Sequence, residues 1–269
     1  MYGMVKSSFI LPAGIRELRD IVRYRFKLTC IITGEKNHVQ NCLTVSTLKL
    51  DDVFSDVFRE SSRPITEHIL QHYGKCLMWH LLLINAVNLP QKKDRLLLMS
   101  VISKEHAVRL RQCLDHIDEL QNNIAKVERE IFRRSDKYKL ASNLITTIPG
   151  FNKNPMSAIQ VFSEIGGDMS VFPTAKHLVS WAGYCPRNDR RDRKIKSTRI
   201  SRAGYYFKSV LVQIANALVQ SKKHPEFATR YKSIKVHRGH KQAIIALCRM
   251  IPYPAHTLRF EALYSGRLF

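Results

Sequence analysis

The stretch Leu110-Arg-Gln-Cys113-Leu-Asp-His-Ile117-Asp-Glu-Leu120-Gln-Asn-Asn-Ile124-Ala-Lys-Val127-Glu-Arg-Glu-Ile131 advances its apolar positions by three and four residues alternately. That step keeps one stripe of a helix apolar for three heptads, the clearest periodicity in the chain. Ser103, with a Glu close behind it, is placed to cap the start, and Arg129, Arg133 and Arg134 suit the negative end of the helix dipole. An apolar stripe has to be covered. Three heptads are short for an independent dimer, so the pattern predicts packing on another helix of the same chain, with self-association through this helix as an added contact. The partner helix begins after Pro12 and Gly14, where Ile15, Leu18, Val22 and Phe26 recur three or four apart; Val39, Leu43 and Leu48 continue less regularly. The segment reads as a spacer or dimer contact rather than a place for chemistry.

Working outward, 269 residues with 45% apolar content hold one large domain or two modest ones. The six cysteines (Cys30, Cys42, Cys76, Cys113, Cys185 and Cys248) show neither a Cys-x-x-Cys pair nor zinc-site spacing, which predicts reduced, mostly buried thiols in a cytoplasmic protein. The longest apolar run, Leu77 to Leu89, is broken by His80, Asn85 and Asn88 and falls short of the ~20 residues that span a bilayer, so no membrane is expected. Leu50 to Phe58 reads as a short amphipathic helix. Its Asp51, Asp52 and Asp56 read as a solvated helix start rather than a metal site.

The charge is lopsided. The formal net charge is +22, and residues 187–241 alone carry sixteen Lys and Arg against three acids. Such a density repels itself unless a polyanion neutralises it, which predicts nucleic-acid binding through counterion release. A merely solubilising face and a basic ribosome-associated protein are the alternatives. Ahead of this region, Ile145-Thr-Thr-Ile-Pro-Gly-Phe151 followed by a helical pattern from Pro155 to Ile165 has the form of a helix-hairpin-helix, with Gly150 at the bend offering backbone N–H groups to a phosphate or serving as a plain turn. Pro173 to Gly183 reads as a helix whose Leu178 and Trp181 face the core, with Thr174 as cap. The segment holding Arg187, Arg190, Arg191, Arg193, Lys194, Lys196, Arg199 and Arg202 has too little apolar content for a core element and reads as a loop or ribbon. Tyr205, Tyr206 and Phe207 then open an apolar helix, where they either pack in the core or stack on unpaired bases. Two further basic turns hold Lys222 with Lys223, and Arg238 with Lys241. The candidate phosphate contacts are therefore Gly150, the basic segment except Arg191, Lys208 and these turn residues.

Ile148-Pro-Gly150, Phe172-Pro-Thr-Ala-x-His-Leu-x-Ser-Trp-Ala-Gly183, Pro186-Arg-Asn-Asp189, Lys196-Ser-Thr-Arg-Ile-Ser-Arg-Ala-Gly204, Lys222-Lys-His-Pro-Glu-Phe227 and Arg238-Gly-His-Lys241 resemble, in order and spacing, the C-terminal domain of insertion-sequence-110 family transposases. The resemblance extends over roughly Ser7 to Met250. It implies a DNA recombinase that cuts and joins strands through a serine nucleophile, assisted by a divalent metal such as Mg held by four acids of a RuvC-like domain, with DNA and a guide RNA as partners. No residue of this sequence corresponds to those acids, and the family's Glu-Ser-Ala-Gly is replaced by Arg190-Arg-Asp-Arg193, so Arg191 stands where the serine belongs. A guanidinium stays protonated and cannot attack phosphorus. The expectation is a truncated, inactive transposase with no catalytic residue, metal or cofactor of its own, or a nucleic-acid-binding or coiled-coil remnant acting with full-length copies. The expected fold is all-α: a helical hairpin, then a compact helical DNA-binding domain. Its parts are a helical segment over 1–73, an aberrant linker over 74–100, the heptad helix over 101–139, the transposase domain over 140–250 and a divergent tail over 251–269. Residues 75–88 leave the family pattern in a way that a compensated pair of frameshifts would produce. Codons incompatible with the alternate frame would exclude that origin.

Overall fold

The computed structural model describes residues 10–46, 50, 56–59, 62–71, 102–185, 189–191, 194–197 and 200–252. The linker expected over 74–100, the tail after residue 252, and Asp51 and Asp52 lie outside the described residues. The architecture is all-α with one small ribbon. Its elements are α1 (Ala13–Val45), α2 (Arg63–Gln71), α3 (Lys104–Ser135), α4 (Lys139–Thr146), α5 (Pro155–Ile165), α6 (Ala175–Trp181), β1 (Asp189–Arg191), β2 (Lys194–Ser197), α7 (Tyr205–Val219) and α8 (Pro225–Met250). They form two compact units, Arg25–Glu128 and Met1–Tyr24 with Arg129–Phe269, so the boundary falls inside α1 and α3 rather than at a linker.

In the unit Arg25–Glu128, the heptad helix is covered as expected. Leu110, Ile117 and Leu120 of α3 share one core with Leu28, Ile32, Val39 and Leu43 of α1. Leu114, outside the strict seam, is more deeply buried than Cys113, so the covered stripe is broader than a coiled-coil seam. The helices run antiparallel: Arg25 pairs with Glu128 at 2.6 Å, His116 Nδ1 lies 3.2 Å from Glu35, and the Cys42 thiol approaches the His106 carbonyl at 3.5 Å. Ser103 caps α3, its Oγ accepting the His106 N–H at 3.3 Å. With its apolar stripe covered by α1, α3 offers a second copy only its other faces. The helix expected over Leu50–Phe58 ends differently. At Asp56–Arg59 the chain is a turn, because Asp56 Oδ1 accepts the Phe58 N–H at 3.0 Å and so competes with helical pairing. Arg63 then ties α2 to α3 through both carboxylate oxygens of Asp118.

In the other unit α5 is the hub, with Met156, Ala158, Ile159, Val161, Phe162 and Ile165 all buried between α4 and α7. Asn154 caps it, accepting the Met156 N–H at 3.0 Å, and Pro155 occupies its first position. Glu164 is the one charged side chain among these buried positions. Its carboxylate receives a two-pronged bond from Arg23 of α1, both contacts at 2.7 Å.

The described cysteines are free thiols, but Cys30 is exposed rather than buried. Burial pushes Cys248 up to about 12, with Tyr184 hydrogen-bonded to it. Alkylation followed by peptide mapping should therefore label Cys30 first at pH 8 and leave Cys248 unmodified until the protein is unfolded. Among the described residues, no helix is long and apolar enough to cross a membrane.

Candidate nucleic-acid interface

The basic segment is carried by an antiparallel ribbon. β1 and β2 pair Asp189 with Ser197, Arg190 with Ile195 and Arg191 with Lys194, and the register shift leaves Lys196 opposite no single partner. Two strands alone are marginal in water. A ladder that sets Arg191 opposite Lys194 weakens itself further by placing like charges across from each other. Such a ribbon gains most when phosphates neutralise it. The reading of this stretch as a loop or ribbon therefore holds for its strands, whereas Arg187, Arg193 and Arg199 lie outside the described residues.

Both ends of the ribbon are anchored at one junction. Gly183, at φ 74°, closes α6: its N–H donates to the Ser180 carbonyl at 2.9 Å, and the Tyr184 N–H donates to Val179 at 3.1 Å. Gly204, at φ 63°, opens α7 with its bare Cα against α6's last turn; a Cβ there would lie 2.7 Å from the Ala182 carbonyl oxygen. Tyr184 plugs the core beneath, fully buried, its hydroxyl donating to the Lys208 carbonyl at 3.3 Å. Burial also pulls the Lys208 ammonium down in pKa; it donates to the Ser201 carbonyl and lies 5.8 Å from the Tyr184 ring centre. Lys208, a candidate phosphate contact by sequence, is thus a clamp that holds the returning strand to α7.

Gly150 is likewise set by packing. At φ 91° it lies against α7, and a Cβ would meet Ile214 Cγ2 at 2.6 Å. The Pro-Gly bend is where α4 and α5 turn beside α7. Thr174 precedes α6 without capping it; its hydroxyl meets His177 Nδ1 at 2.8 Å instead. Trp181 departs from the expected core position. Leu178 is fully buried, but Trp181 is 42% exposed, held edge-on by Phe172 and Phe207 at 5.4 and 5.9 Å. It is the last residue of a seven-residue helix and is only partly covered, although Ala182 and Tyr184 just beyond it are fully buried.

The remaining candidates are exposed. Arg202 lies between the ribbon and α7, and Lys222 and Lys223 lie in the turn before α8. Arg238 and Lys241 flank Gly239, whose φ 77° breaks α8 into two helical halves. The expected turn is thus a kink inside one long element. The structure adds Arg230, Lys232 and Lys235, all exposed on the first half of α8. Their charge is legible in the sequence but their placement is not, because a helical stretch with almost no apolar stripe gives no periodicity to read. Elsewhere Arg23, Arg25, Arg63, Arg133 and Arg134 each hold a carboxylate. Among the described residues, Arg202, Lys222, Lys223, Arg230, Lys232, Lys235, Arg238 and Lys241 have none within ion-pairing distance.

Also among the described residues, no three His, Cys, Asp or Glu side chains converge on a point that could hold a metal ion. The residues that are described do not fit a divalent-metal centre.

Residues 142–232 match the family described as Transposase IS116/IS110/IS902, a span that runs from α4 through the ribbon into α8. Over these residues the chain is similar to a transposase domain of that family. It is also similar to the pilin gene-inverting proteins of Moraxella lacunata and Moraxella bovis, each 27% identical over 160 residues. Those alignments cover 58% of this chain and 48% of each relative, so the chain spans about half the length of the curated relatives it matches. The matched span contains the hairpin bend, the ribbon and its junction, and the first exposed cations of α8, while Lys235, Arg238 and Lys241 lie just past its end.

Proposed function

We propose that this chain binds DNA through its transposase domain in the service of DNA rearrangement, and that it holds the strands without cutting them. The observation that carries binding is a set of exposed cations with no carboxylate partner. Arg202, Lys222 and Lys223, with Arg230, Lys232, Lys235, Arg238 and Lys241 of α8, stand exposed, and among the described residues no carboxylate lies within ion-pairing distance of them. Uncompensated surface charge of one sign is costly unless a polyanion joins it. The pilin gene-inverting relatives, by their name, rearrange DNA, which supports recombination as the context. A structured RNA is the second polyanion that the family resemblance brings in.

Arg191, at the end of β1, carries the argument against cleavage. A strand-cutting serine works because its hydroxyl loses a proton and attacks phosphorus. A guanidinium offers no such oxygen and no free lone pair. What Arg191 contributes instead is a fixed positive charge.

The test is equilibrium binding to a short blunt DNA duplex at several salt concentrations, with product analysis in magnesium buffer. With about six to eight phosphates engaged, log K should fall with log salt at a slope of about −5 to −7, and no nicked or joined product should form. A slope near zero removes backbone contact; cut DNA removes the non-catalytic reading. Placing Glu-Ser-Ala-Gly over residues 190–193 should still give no nicked or joined DNA, since among the described residues no cluster of carboxylates is present to hold the metal that such chemistry uses.

A further inference from the structure

Two large aromatic side chains stand at the ribbon junction in positions that core packing does not explain. Trp181 ends α6 at 42% exposure and Tyr205 begins α7 at 60% exposure. Their backbones meet: Gly204, next to Tyr205, packs directly on Ala182, next to Trp181. Neither ring is loose. Trp181 is braced edge-on by Phe172 and Phe207, and Tyr205 by Tyr206 at 5.4 Å. Tyr206 is in turn covered by the Arg23 guanidinium, 4.7 Å from its ring centre. The neighbours of Trp181 and Tyr205 fill out a charged frame. The ribbon strands bearing Arg190, Arg191, Lys194 and Lys196 leave and return through this junction, and exposed Arg202 lies three residues before Tyr205.

From this arrangement we infer that Trp181 and Tyr205 form a stacking platform for unpaired bases at the foot of the basic ribbon. The inference rests on the proposed nucleic-acid binding and adds to it what kind of strand is held there. A braced ring loses little freedom when a base stacks on it. Every base has a flat face to offer, so the contact tolerates any sequence. Bases inside a duplex are already stacked on one another and cannot use it, whereas a splayed or single-stranded segment can. The adjacent cations suit the backbone of the same segment. Charge thus selects a nucleic acid over an apolar protein surface as the occupant, and the exposed rings select its unpaired part.

The experiment uses the full chain and three probes: a single-stranded DNA oligonucleotide, an RNA of the same sequence, and the corresponding blunt duplex, each followed by fluorescence anisotropy. Y205A should bind a single strand about tenfold more weakly, the size of one lost base stack, while duplex affinity changes by less than about twofold. W181A should do the same, and the ring-preserving Y205F and W181F should stay within about threefold of the parent. Because Trp181 touches Phe207, its variants are accompanied by a melting curve; Y205A, at a mostly exposed position, carries the test if W181A is destabilised. In a W79F background, the emission of Trp181 should be quenched by the strand that binds. A loss confined to DNA or to RNA supports the platform and names which strand it holds. Unchanged single-strand binding in Y205A, or equal losses on duplex and single strand, overturns the platform and leaves duplex binding by the parent intact. A parent that binds none of the three probes overturns the proposed function instead.

Discussion

Replacing Arg23 by Ala should cost the unit Met1–Tyr24 with Arg129–Phe269 about 3 kcal/mol, the low end of the range for breaking a buried ion pair. The asymmetry of the pair sets the size. Glu164 is only 6% exposed, while a third of the Arg23 side chain reaches solvent. Removing the arginine therefore strands a carboxylate in the core with both bidentate partners gone. Removing the glutamate leaves a guanidinium that can turn to water, so E164A should cost less than R23A. For a unit of this size, 3 kcal/mol lowers the melting temperature by about 6–12 °C, easily read by circular dichroism. A second substitution separates charge from packing. In R23M/E164L no charge remains buried, and about half or more of the loss should return. If the double variant is as unstable as R23A, the pair acts by shape alone. Because Arg23 also covers Tyr206, R23A should loosen the start of α7, and with it the ribbon junction.

That ion pair shows where sequence reading stops. Arg23 and Glu164 lie 141 residues apart, and nothing local marks either as a partner of the other. The heptad seam was legible because burial repeats with the helix period, and its cover on α1 followed from the need to hide three turns of apolar surface. The length of α1 was less legible. Its apolar residues shift face after Val22, where Leu28 and Ile32 take over from the Ile15 stripe, so one helix read as two weaker segments. Trp181 was misplaced for a related reason: spacing says which face of a helix a residue is on, but not how much of that face its neighbours cover. The transposase motifs were legible as a series of residues. Their physical meaning was not. Gly183 and Gly204 let two backbone segments cross at the ribbon's foot, and Gly150 makes room for Ile214, which are facts of close approach that only the fold supplies.

The ribbon offers the larger effect on binding. In R190A/R191A/K194A/K196A, affinity for duplex DNA at 0.1 M salt should drop about 1,000-fold, and the slope of log K against log salt should become shallower by about 3. Each phosphate contact releases close to one counterion, so removing up to four contacts removes up to about 3.6 ions from the equilibrium. The fold should not suffer. Arg191 is paired in register with Lys194, and removing like charges at a cross-strand pair is expected to relieve repulsion. A melting temperature equal to or slightly above the parent's is therefore expected together with the lost affinity, a combination that a misfolded variant cannot give. The matching substitution on α8, K232A/K235A/R238A, divides the interface. If the ribbon dominates, these three changes lower the slope by no more than about 1. If they lower it by about 3 while the ribbon variant does not, the first half of α8 tracks the phosphate backbone, and the ribbon serves another strand.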